Sequence, residues 1–307
     1  MMNIDAGVIQ KLSPYFIQGD MAGAMKLMET IPQAHSFLAR FVDIFEREHY
    51  LRYDIPDSLN DILLLYQQYF RDVFYLGIAE HDAVEALLDK LRKQLNAPDA
   101  DEETLAKVLE HQFGQTGYHF LGGRTNGHYG PYVWKTTVPT TYAVELTDTV
   151  SQYTVNILRG FIFRSWLDYL TFGAIGTGGW TSPDGTINCV EKAYDFESEQ
   201  FKVSLLKHEA QHSEDLKRWP EMKPQELEYR AKLVELIFTE QVNLLEKFVG
   251  EADRSRTGDS HAMASARIAD EFGGDTHMDI PAVQQKAREL FARSTAEMTQ
   301  RYSYTSF

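Results

Sequence analysis

A single cysteine, Cys189, stands in a chain of 307 residues. One thiol excludes an intramolecular disulfide and any CxxC metal site. Positive charge is scarce as well: 30 Lys and Arg stand against 45 Asp and Glu, for a formal net charge of −15. Nonspecific nucleic-acid binding needs a basic surface. No Lys/Arg cluster supplies one, so no nucleic-acid partner is expected, and the acidity reads as a solubility feature. Long apolar runs are also missing. The most apolar stretch, 155–180, is broken by Arg159, Arg164, Asp168 and several glycines. A membrane span does not tolerate charges near its centre, so the stretch reads as buried core and no membrane partner is expected. The N-terminal MMNIDAGVIQKLSPYF has neither a basic leader nor a continuous apolar segment, which reads as no signal peptide. These absences together point to the cytoplasm.

What is present is an ordinary globular composition, 43% hydrophobic and 24% charged, with length enough to bury a large core. Residues 5 to about 95 read as helices. Asp57, Ser58 and Asn60 supply capping residues, and Leu59, Ile62, Leu63, Tyr66 and Phe70 recur at helical spacing. A polar break at 96–101 and a boundary near Gly114 close this region. The expected organisation is a helical N-terminal region over 1–113 and a second domain over 114–307. The latter holds a small sheet at 117–190 and helices at 197–307. Strand-forming runs are VWKTTV and TTYAVEL, separated by Pro139, with further strands at 154–158 and 186–190. Glycines at 176–179 and the Pro-Asp-Gly at 183–185 read as turns. Helices, then a small, mostly antiparallel sheet, then helices is an α+β order. Neither GGRTNG nor AIGTGGW has the features of a phosphate loop.

His208-Glu209-Ala210-Gln211-His212 fits the pattern HExxH. Histidines at i and i+4 share one helix face, about 6 Å apart along the axis, close enough to bind one zinc ion. The flanking run SEQFKVSLLKHEAQHSEDLKRW reads as helix, with Ser198 as its cap. On a regular helical wheel Phe201, Leu205, His212, Leu216 and Trp219 form an inward stripe. His208 and Glu209 border it, and Gln211 lies elsewhere. A carboxylate beside an apolar stripe is costly unless paired or used. Glu209 is either salt-bridged or placed to activate a water on the metal.

A catalytic zinc takes three protein ligands and leaves a position for water. The third is expected from the next helix, read from about 225 to 249 and closed by Gly250. Its apolar stripe contains Leu227, Ala231, Val234, Phe238, Val242 and Leu245. Glu228 and Glu235 lie on one edge of it, two turns apart. The short linker makes the two helices antiparallel neighbours, which brings both glutamates near the motif without choosing between them.

HEAQH followed by a glutamate on the next helix resembles the gluzincin arrangement of thermolysin-like zinc metallopeptidases. The longer run SLLKHEAQHSEDLKRWP…ELEYRAKLVEL is similar to a family of uncharacterised bacterial proteins described as zinc peptidases. This resemblance implies a zincin-like domain with His208, His212 and Glu228 as metal ligands and Glu209 as general base, which leaves Glu235 as a residue behind the ligands or an alternative ligand. It also implies that 186–190 is the edge strand that pairs with an extended peptide or protein substrate. The interval from His212 to Glu228 is shorter than in thermolysin-like enzymes, and no NExxSD-type element surrounds Glu228. No HExxHxxGxxH extension exists, which argues against a metzincin.

The implied reaction is zinc-assisted amide hydrolysis. Tyr194, Tyr229, His261 and His277 are oxyanion donors by residue type alone. Tyr129, Tyr132 and Trp134 read as core aromatics rather than cleft lining. Two rival classes are a zinc-bearing or metal-free scaffold that binds a partner, and a zinc hydrolase acting on a non-peptide amide or ester.

Overall fold

Apolar residues at helical spacing build the first third of the chain. The computed structural model describes residues 6–125, 127–182, 186–256 and 258–302. Six helices come first: α1 (Ala6–Gln18), α2 (Met21–Glu29), α3 (His35–Phe45), α4 (Asp57–Phe70), α5 (Glu80–Gln94) and α6 (Glu102–Gly114). Their inward residues, among them Phe16, Phe41, Ile62, Phe70, Leu87 and Leu109, are buried in one core. Asp20 and Asp101 cap α2 and α6 by accepting from the N–H groups of Gly23 and Thr104. The capping expected at 57–60 takes another form. Pro56 holds the N-cap position of α4, and the buried Asn60 side chain bonds the backbones of Tyr53 and Ile55.

Strands follow: β1 (His119–Leu121), β2 (Arg124–Thr125), β3 (His128–Tyr129), β4 (Tyr132–Trp134), β5 (Thr136–Glu145), β6 (Val150–Arg159) and β7 (Phe163–Arg164). Next come a short helix α7 (Ser165–Leu170), β8 (Gly179–Thr181) and β9 (Ile187–Val190). One sheet is ordered β1-β4-β7, β2 pairs β3, and a four-stranded sheet is ordered β5-β6-β9-β8. Tyr129, Tyr132 and Trp134 are buried, as core aromatics should be. The α+β order with a small antiparallel sheet is therefore present.

Two strand expectations are corrected. Pro139 does not separate strands, because β5 runs through it. β5 is an edge strand, where a missing N–H on the outer side removes no ladder bond. Nor is 186–190 the edge: β9 lies between β6 and β8, and β8 takes the edge. The glycine run read as a turn enters that strand. A Cβ on Gly179 would lie 2.6 Å from the Asn188 carbonyl oxygen, so glycine lets β8 approach β9 in register, with Thr181 opposite Ile187. The turn expected at 183–185 lies outside the described residues.

The last part is helical: α8 (Glu199–Phe201), a π-helical turn over Lys202–Lys207, α9 (His208–Arg218), α10 (Pro224–Phe238), α11 (Leu244–Gly250), α12 (Ser260–Glu271) and α13 (Ile280–Tyr302). Ser198 caps α8, accepting from the Phe201 N–H at 3.2 Å. α10 packs on α9, α12 and α13, and every residue from Tyr229 to Ile237 is buried. The expected single helix to 249 ends instead at Phe238. Thr239 is extended, its hydroxyl bonds Glu199 and accepts from the Gln241 N–H, and such local bonds compete with the helical ladder. Val242, expected on the inward stripe, is 78% exposed.

The chain divides into two units. One holds the chain to Val138 with Leu158–Thr177, and the other holds Pro139–Ile157 with the chain from Gly178 onward. This division differs from a single boundary at 113/114. Among the described residues no helix is long and apolar enough to cross a membrane.

Candidate metal centre

The site lies in the second unit and begins with an irregularity of the backbone. A regular wheel points Leu216 inward and Gln211 away, but Leu216 is 40% exposed while Gln211 and Asp215 are 4% and 2% exposed. A π turn at Lys202–Lys207 interrupts the helix just before the motif. It adds one residue to a turn, so a regular wheel does not describe the helix across it. His208 and His212 stay inward, and Gln211 and Asp215 join them. Asp215 then meets Arg230 of α10 at 2.8 Å and accepts from Gln211 at 2.8 Å, while Arg230 also donates to Thr295 of α13. This buried network ties three helices together behind the motif.

On the other side, His208, His212 and Glu228 converge, each offering a ligand atom within 4.8 Å of the others. The Nε2 atoms of the two histidines are 3.0 Å apart. Glu228 Oε2 is 3.3 Å from His208 Nε2, and Oε1 is 3.4 Å from His212 Nε2. Ligand atoms around a tetrahedral zinc, each about 2.0–2.2 Å from it, stand about 3.3–3.6 Å apart. The observed separations lie within a few tenths of an ångström of that edge. Glu228 Oε2 and His212 Nδ1 are buried and make no hydrogen bond of normal geometry. A carboxylate oxygen set among imidazole nitrogens in this way matches the donor set of a zinc site, and the residues present fit the ion.

The electrostatics favour a cation. Burial works against a charged His208, but its contacts with Glu228 and Glu235 overcome that and push its pKa up to about 10. Burial alone would raise the Glu228 carboxyl, yet the three histidines around it hold it well below the usual carboxylate range. The third is His261 of α12, whose Nδ1 is 3.0 Å from Glu228 Oε2.

The two glutamates of α10 occupy different positions. Glu228 faces the Nε2 atoms of both histidines, whereas Glu235 Oε1 meets His208 Nδ1 at 2.7 Å. Glu235 against His208 and Glu228 against His212 is the order of antiparallel helices. Glu209 is half-buried. Its Oε2 accepts from the Thr181 hydroxyl of edge strand β8 at 2.6 Å, and its backbone carbonyl accepts from the Tyr153 hydroxyl at 3.2 Å.

Of the four donors suggested by type, His261 is the one that contacts the cluster. Tyr194 packs on Phe201, Tyr229 is buried beneath the Arg267 guanidinium, and His277 lies on an exposed segment. Sequence reasoning missed Thr181, Tyr153, Asp215 and Arg230. Thr181 follows a glycine run that carries no strand pattern. Asp215 and Arg230 look like surface charges until α9 and α10 pack together and bury both. Comparison with protein-family models, curated proteins and solved structures gives no match to this chain.

Proposed function

We propose that the second unit is a zincin-like hydrolase that binds one zinc ion through His208, His212 and Glu228 and cleaves peptide bonds. The observation that carries this reading is the convergence of two Nε2 atoms, 3.0 Å apart, on the Glu228 carboxylate, one oxygen 3.3 Å from His208 and the other 3.4 Å from His212, near the spacing of zinc ligands. Zinc held there supplies a Lewis acid that polarises a carbonyl and acidifies a water near neutral pH.

The remaining roles belong to the chain. Glu235 takes the Nδ1–H of His208 and so fixes the tautomer that presents Nε2. Glu209 is the general base, taking a proton at Oε1 and passing it to the leaving nitrogen while Thr181 holds Oε2. The edge position of β8, with Thr181 beside Glu209, suits an extended peptide added as a further strand. The test is metal analysis of the purified chain together with a peptide-library digest. About one zinc per chain and cleavage that disappears with Glu209→Gln support the reading; a chain that takes up no zinc at micromolar concentrations overturns it.

A further inference from the structure

A cavity of about 370 Å³ opens in the helical first unit, and none of its lining residues belongs to the metal cluster. Its walls are mainly apolar, with Leu88 of α5, Leu105 of α6 and Phe120 of β1 among them. A space of this size with aliphatic and aromatic walls is the usual form of a small-molecule site, and its few polar groups set the ligand's chemistry. Here those groups are Glu102, Glu103 and the tyrosines Tyr66 and Tyr129, and no lysine or arginine lines the space. Tyr129 is 4% exposed, and its buried hydroxyl makes no hydrogen bond of normal geometry, although the Glu102 carboxylate faces it. A buried hydroxyl without a well-formed bond is costly, and a donor entering the cavity relieves that cost.

The nearby cations are engaged elsewhere. Lys107 is held by Glu103, and Arg124, stacked on the Tyr129 ring, is held by Glu80. Glu102 sits in the first turn of α6. We propose that this cavity binds a primary amine with an apolar body. The ammonium pairs with Glu102 and donates to the Tyr129 oxygen, and the body lies among Leu88, Leu105 and Phe120. An anionic head would meet two glutamates of like charge. An alcohol would leave the charge of Glu102 unanswered.

Isothermal titration of the full chain with hexylamine, hexanol and hexanoate tests this. Hexylamine should bind with a dissociation constant on the order of a millimolar or tighter, roughly tenfold tighter than hexanol, and hexanoate should not bind. Glu102→Gln, a change at an exposed position, should weaken hexylamine about tenfold and leave hexanol unchanged, and Tyr129→Phe should weaken hexylamine a few-fold. Leucinamide separates the two sources of such an amine. Affinity equal to or above that of hexylamine assigns a peptide amino terminus, and lower affinity assigns a free alkylamine. Hexylamine binding no tighter than hexanol, or binding unchanged in both variants, overturns the proposal.

Discussion

Nδ1 of His208 stands 2.7 Å from Oε1 of Glu235, on the ring edge away from the Nε2 that faces His212. A histidine so held has one nitrogen committed and one presented. Glu235→Ala should therefore leave the zinc stoichiometry near one per chain but weaken affinity about 10–100-fold. Glu228→Ala should weaken it further, as should His208→Ala or His212→Ala. Competition against a chromogenic chelator measures all four. A larger loss in Glu235→Ala than in Glu228→Ala would exchange the two roles.

Glu209→Gln keeps an acceptor for the Thr181 hydroxyl and removes the proposed base. Zinc content should not change, thermal stability should be equal or slightly higher, and hydrolysis should fall roughly a hundredfold or more. Activity that survives this substitution would require another base.

With Glu209 proposed as the base, Thr181, which donates to its Oε2, is proposed as a positioning residue. Thr181→Val should lower kcat by about tenfold with little change in KM or zinc content, because a misaimed base costs rate and not binding. Thr181→Ser should restore most of it. A Ser variant as impaired as Val would mean that the hydroxyl is not what matters.

The side chains of Asp215 and Arg230 are 3% and 2% exposed and 2.8 Å apart. Removing one partner of such a pair leaves the other charge buried and unanswered, which costs about 3–5 kcal/mol. Asp215→Ala should lower unfolding stability by that amount in urea titrations followed by circular dichroism. A change below about 1 kcal/mol would place the pair in contact with water.

Burial pushes the Cys189 thiol up to about 12 from its ordinary 9.0. A thiol that ionises less readily folded than unfolded leaves stability untouched below about pH 9. Stability then falls as pH rises from there toward 12, because only the unfolded chain gains from ionising. The folded chain should not react with a thiol reagent at pH 8, whereas the denatured chain should take up one equivalent. Rapid labelling of the folded chain would mean that β9 opens readily.

The amino-acid order by itself determines what depends on a few neighbouring residues. Histidines four apart share a helix face whatever surrounds them, so the pairing of His208 with His212 was legible, as were the Ser198 cap and the helix–sheet–helix order. Tertiary structure decided the rest. Glu228 and Glu235 lie on the same edge of α10, and only the placement of that helix against α9 set one at the Nε2 atoms and the other at Nδ1. The burial of Gln211 and Asp215 on α9 carries no compositional mark and goes with the packing of α9 on α10. Thr181 reaches Glu209 through β8, a strand begun by a glycine whose missing Cβ admits close approach to β9. Spacing along one helix is fixed by local geometry, whereas contacts between elements distant in sequence depend on backbone phase and packing to within an ångström, which periodicity does not encode.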